Sequence, residues 1–166
     1  MAYSFSEELD SIREYYEKVD STLSADIVNS ADLAQGDSMS ASRPRSTPLY
    51  AAYLRQSIPI MFCMAWEKFV RDLKTADPAR HKICFQDRSE KVLRKCYDPA
   101  IREIFLIRNS IVHLDGRATR DYEREFGKYK EGEKIAEINQ PEIDRQREIF
   151  SKAFERITSS PIASLP

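Results

Sequence analysis

The spacing of apolar residues constrains this chain more than any other feature. Phe5, Leu9, Ile12, Tyr16, Val19 and Leu23 recur at steps of four and three. At 3.6 residues per turn those positions form one stripe along a helix. Ser4 and Glu7 have capping-box spacing at its start, so the pattern predicts a helix over about 5–24. A second run passes through Leu54, Ile58, Met61, Phe62, Ala65, Phe69 and Leu73, and Thr47-Pro48 ahead of it reads as a cap with proline at the first helical position. Pro59 falls inside this run, so the helix either kinks there or restarts with Ser57 as cap. Around Trp66 the run is apolar on most faces, as expected of a central buried helix.

Asp77-Pro78 ends that helix, residues 79–87 read as a connector, and Arg88 to Tyr97 as a short basic helix. Asp98-Pro99 repeats the cap signal and opens a helix to Leu114 or Asp115, with Gly116 as a left-handed stop. Residues 119–126 read as a further helical piece and 129–138 as a small hairpin or a loop. Pro141 starts a last amphipathic helix through Ile143, Ile149, Phe150, Phe154 and Ile157. Residues 25–47, rich in Ser, Ala, Asp, Gly and Pro, read as a long loop, and the tail 159–166 is expected to be flexible. The fold class is therefore all-α: one domain over 1–158, a bundle of four main helices plus short helical pieces.

Composition narrows the function classes. The 166 residues suit one domain, and only 4 Gly argues against a turn-dense all-β architecture. Net charge is −1, so any nucleic-acid contact must come from a local patch. The longest uncharged apolar run, Ile58 to Trp66, is nine residues against the roughly 20 that a membrane span needs. The N-terminal stretch is acidic at Glu7, Glu8 and Asp10, unlike the basic start of a signal peptide. Cys63, Cys84 and Cys96 are an odd count without paired spacing, which reads as ordinary buried cysteine in a reducing compartment and not as a metal site. A cytoplasmic protein without a membrane partner is expected.

The segment with chemical content is DPAIREIFLIRNSIVHLDG, residues 98–116. On a helical wheel Ile101, Ile104, Phe105, Ile111 and Val112 share one side, and Arg108 lies near its middle. A guanidinium there needs an anion or an exit from the core. Either it pairs with a carboxylate such as Glu67, or it awaits a phosphate that its planar fork suits. Asn109 and His113 are neighbours at i and i+4, while His113 lies about 140° around the helix from Arg108.

The run Arg108-Asn109-Ser110-Ile111-Val112-His113 resembles the R-x4-H motif of the HEPN superfamily, with Asn after the Arg. Leu114-Asp115-Gly116 is similar to the continuation in short bacterial members, the RiboL-PSP-HEPN and MAE-type HEPN-like nucleases. Trp66-Glu67-x-Phe69 is similar to their upstream core helix. The resemblance covers roughly residues 48–158. It implies a HEPN-like helical bundle that forms a homodimer and cleaves RNA in a composite cleft. It implies no metal and no cofactor, and a role as toxin or antiviral defence effector. His113 would act on the ribose 2′-OH or the leaving 5′-oxygen, as an imidazole can near neutrality. Arg108 would hold the scissile phosphate, Asn109 would orient the imidazole or contact the backbone, and Glu67 and Asp115 would support. One toxin subgroup places Tyr two residues after the His for modification by a nucleotidyltransferase antitoxin. Asp115 stands there in this chain, which puts that partnership in doubt and leaves an antitoxin or regulatory protein of other kind as a candidate partner.

Charge fits either a local RNA face or an ordinary solvated helix of mixed charge over Arg88 to Lys95. Residues 1–40 hold nine acidic and two basic residues, whereas residues 80–124 hold eleven basic and seven acidic. The basic segment brackets the motif, and Arg94, Lys95, Arg102 and Arg117 are its candidate RNA contacts. The competing reading is a catalytically inactive module of the same type that binds RNA, a nucleotide or a partner protein. Retention of both Arg108 and His113 favours the enzyme.

Overall fold

The computed structural model describes residues 5–36, 47–85, 97–135, 138–162 and 165. Six helices are found among them: α1 (Phe5–Gly36), α2 (Thr47–Ala76), α3 (Pro78–Phe85), α4 (Pro99–Leu114), α5 (Arg120–Phe126) and α6 (Gln140–Ser159). The all-α expectation holds.

Helix α1 is twelve residues longer than its apolar stripe foretold, reaching Gly36 instead of 24. The expected loop over 25–47 is corrected accordingly. Residues 25–35 contain neither Gly nor Pro. Ser and Asp cost a helix only tenths of a kcal/mol each, and the interspersed Ala and Leu favour it. Residues 37–46 and the predicted cap Ser4 lie outside the described residues.

Helix α2 runs unbroken through Pro59. The proline forfeits one backbone bond and costs roughly 3 kcal/mol. Ile58, Phe62 and Trp66 around it are fully buried. At about 1.5–3 kcal/mol each they outweigh that cost. Ser57 does not cap a new helix; its Oγ donates to the Leu54 carbonyl at 2.6 Å within α2.

The expected connector 79–87 is helical up to Phe85. Asp77-Pro78 is a third cap-plus-proline start: the Asp77 carboxylate accepts from the Arg80 backbone N–H at 3.0 Å. The expected basic helix over 88–97 lies outside the described residues except for Tyr97. The described residues between 129 and 138 do not form a hairpin of their own. Instead Lys134 forms an isolated antiparallel bridge with Arg117. Ala118 N–H reaches the Glu133 carbonyl at 2.8 Å, and Ile135 N–H reaches that of Gly116 at 2.9 Å. The tail is also tied where it is described. Arg80 donates to the Ile157 carbonyl and, at 2.8 Å, to that of Ser160, and Leu165 packs against the core.

The core centres on Trp66. Its indole lies 5.6 Å from the ring of Phe5, 5.2 Å from Phe69, 6.2 Å from Phe85 and 5.5 Å from Phe150, centroid to centroid. Ion pairs at the rim set helix directions. Glu8–Lys68 and Asp20–Arg55 make α1 and α2 antiparallel, and Asp10–Arg147 with Arg13–Asp144 do the same for α1 and α6. The Tyr97 ring ahead of α4 lies 6.1 Å from Phe85, while Gly116 past its end lies beside Gln56, so α4 runs back along α2.

Trp66→Ala is expected to cost about 3–5 kcal/mol, read as a lowered urea midpoint by circular dichroism. Asp98→Ala, which removes the α4 cap described below, is expected to cost about 1 kcal/mol in the same measurement.

Candidate functional site

Helix α4 carries the motif and is delimited at both ends. The Asp98 carboxylate accepts from the Ile101 N–H at 2.9 Å, and Pro99 follows as the first helical residue. At the other end Asp115 itself is left-handed (φ 52°, ψ 43°), one residue earlier than the expected Gly116 stop. Gly116 follows at φ 74°, and both backbone N–H groups reach the Ser110 carbonyl. Asp115 is thus a C-cap, a conformation that Asp tolerates better than most residues.

Burial changes along this helix. Ile101 to Ile107 are all buried, Arg108, Asn109 and Ile111 are half-buried, and Val112, His113 and Leu114 are exposed. The stripe expected to carry Ile111 and Val112 into the core therefore leaves it, with Val112 46% exposed. The motif sits where α4 emerges from the bundle.

Arg108 donates from Nη1 to Asn109 Oδ1 at 2.9 Å. Its Nε–H is buried without an acceptor. No Arg108–Glu67 bond is found among the described residues, and Glu67 is half-buried on α2. An unsatisfied buried donor costs about 1–3 kcal/mol. His113 is on the same helix end, about 7.5 Å further along the axis and on another face. Joint contact with one phosphate from a single chain would rest on the reach of the Arg108 side chain. The other histidine, His81, is buried, and desolvation followed by the nearby Lys74 charge lowers its pKa.

The remaining expected contacts are divided. Arg117 is exposed beside the end of α4 and donates to the Gly132 carbonyl at 3.1 Å. Arg102 is buried and its fork closes on Glu125, with Nη2 to Oε1 at 2.6 Å. Its place on an RNA face is corrected: a guanidinium committed to a bidentate partner in the protein is not presented to a phosphate. Arg94 and Lys95 lie outside the described residues. Among the described residues no group of three His, Cys, Asp or Glu could hold a metal ion, and no helix is long and apolar enough to cross a membrane. Cys63 and Cys84 are buried.

Sequence reading missed a cavity of about 360 Å³ on another face of α4, lined by residues including Glu103, Tyr122, Lys128, Tyr129, Ile135 and Arg145. The one signal was Glu103 itself, a carboxylate among the isoleucines of the buried half of α4. Its Oε1 accepts from Tyr122 Oη at 3.0 Å and from Lys128 Nζ at 2.5 Å. Burial, then the Glu103 charge, pushes the Tyr122 phenol well above its usual range, so it remains a donor. Glu142 receives both Arg145 Nε (2.8 Å) and Nη2 (2.7 Å). Burial alone would raise its pKa; the bonds from Arg145 and Gln146 overcome that and hold it low.

Comparison with known proteins finds no matching family model, no matching curated protein and no matching solved structure.

The lowered carboxylates set an acid limit. A Glu whose folded pKa lies below the ordinary 4.5 contributes its full stabilisation above that pH and loses it as pH falls through the folded value. Glu142, and Glu125 through the Arg102 fork, are expected to do so. Urea unfolding at a series of acid pH values should show a decline below pH 4.5 that is shallower in Glu142→Gln.

Proposed function

We propose that this chain is a metal-independent endoribonuclease of HEPN type, acting as a homodimer in toxin or antiviral defence biology. The observation that carries this reading is the Arg108 guanidinium. One N–H is held by Asn109 and another has no acceptor, on the same emerging helix end as the exposed His113. That arrangement is suited to an incoming phosphate beside a group that can take or give a proton.

In this reading one imidazole removes the proton from a ribose 2′-OH. The 2′-oxygen attacks the adjacent phosphorus and the bond to the 5′-oxygen breaks. The leaving oxygen takes a proton from the protonated His113 of the second copy. The products are a 2′,3′-cyclic phosphate and a 5′-OH end. Arg108 stabilises the charge that builds on the non-bridging oxygens. The nucleophile belongs to the substrate, so the reaction needs no metal-activated water.

The second copy supplies what one helix does not: another Arg108 and His113 facing the first pair. Exposed Val112 and Leu114 (46% and 45%) flank the motif. Exposed Tyr53 and Met64 (55% and 60%) lie on α2, whose Gln56 adjoins Gly116. These apolar surfaces favour burial against a partner. Arg117 stands at the rim for the RNA backbone.

His113→Ala and Arg108→Ala are each expected to lower RNA cleavage by about a hundredfold or more. Stability should not fall by more than about 1 kcal/mol in either variant, since neither side chain belongs to the packed core. Cleavage should persist in EDTA, products should carry cyclic phosphate, and sedimentation should give a dimer. Undiminished cleavage by His113→Ala, or abolition by chelation, would overturn the mechanism.

A further inference from the structure

The cavity lies between the buried half of α4, α5, the segment after α5 and the start of α6, and neither Arg108 nor His113 lines it. Its volume of about 360 Å³ lies within the roughly 300–1,000 Å³ of small-molecule sites. Among the described residues the charged ones that line it are Glu103, Glu142, Lys128 and Arg145, two of each sign, so these favour neither an anion nor a cation. Most of these charges satisfy each other. Glu142 is held by Arg145 and Gln146, and Lys128 and Tyr122 both take Glu103 Oε1.

Glu103 Oε2 is the exception. The Glu103 side chain is only 8% exposed, yet both of its hydrogen bonds go to Oε1, and Arg145 Nη2 lies 3.9 Å from Oε2, beyond hydrogen-bond reach. Oε2 can therefore accept a hydrogen bond from a donor that enters the cavity. The Lys128 ammonium beside it offers further N–H donors. Ile107, Ile135 and Ile138 supply apolar wall, and the Tyr122 and Tyr129 rings supply flat surface. A matching ligand carries an N–H next to a hydrogen-bond acceptor on a planar, uncharged frame.

We propose that this cavity binds a nitrogen heterocycle of nucleobase type, with its ring N–H on Glu103 Oε2, its adjacent carbonyl toward Lys128 and its face against the tyrosine rings. The site is independent of the cleavage motif. The base can come from a free nucleoside or from an RNA strand, and the chemistry of recognition is the same.

The test is calorimetric titration of the intact protein with guanosine, uridine, adenosine and cytidine, and with a single-stranded RNA whose 2′-oxygens are methylated against cleavage. Guanosine or uridine, which present a ring N–H beside a carbonyl, should bind with a Kd below about 1 mM. Competition by the RNA would assign the base to a strand; nucleoside binding without it would assign a free ligand. Ile135→Trp, which fills the cavity and leaves the charged pairs in place, should abolish binding. Glu103→Gln should weaken it by about tenfold or more, because Lys128 selects the amide oxygen and turns the NH2 toward the ligand. Trp66 fluorescence verifies that each variant is folded. No binding by guanosine or uridine to the folded protein would overturn the proposal. So would unchanged binding in Ile135→Trp, or binding of simple amines in place of nucleosides. Nucleosides contain no phosphodiester, so this outcome is separable from failure of the ribonuclease reading.

Discussion

The fully buried indole of Trp66 has the rings of Phe5, Phe69, Phe85 and Phe150 around it, so α1, α3 and α6 all close on one side chain of α2. Such rings carry both large apolar area and preferred edge or tilted geometry. The cluster therefore stabilises the bundle and also restricts how the helices can dock. It explains why α2 tolerates Pro59: the packing around the proline is worth more than the backbone bond it forfeits. It also places α4, since Tyr97 packs tilted against Phe85 ahead of the helix, which then runs back along α2.

From that anchored start α4 passes from core to surface within one element. Its buried half contains two charged residues held by ion pairs: Arg102 by its fork on Glu125, and Glu103, through Oε1, by Lys128 with Tyr122 beside it. Its emerging half contains a charge that is answered only in part, at Arg108. A buried ion pair costs desolvation that its partner has to offset, so charges held in ion pairs are the arrangement expected of scaffold. The partly answered groups, Arg108 Nε and Glu103 Oε2, are where bound ligands have something to gain.

Much of the helical order was legible because periodicity and caps are local. The α4 and α6 starts follow from Asp98-Pro99 and from Pro141, and the α5 piece from the residues after Gly116. Where reading failed, composition had been allowed to override backbone preference. Ser and Asp over 25–35 resembled a loop, but without Gly or Pro they do not stop a helix. Asp77-Pro78 resembled an ending and proved to be a start as well. The bridge between Arg117 and Lys134 joins segments that no local pattern connects.

The sequence by itself determined the helical class, the capped boundaries of α4 and the adjacency of Arg108, Asn109 and His113, because these depend on residues within a few turns of each other. Tertiary structure decided which of the motif's neighbours are available. It buried Arg102 against Glu125, exposed Val112 and left Arg108 without the Glu67 partner that spacing had allowed. It also created the cavity beside Glu103, whose walls come from α4, α5, the segment after it and α6. Burial and charge pairing are sums over distant segments, so they exist only once the helices have packed.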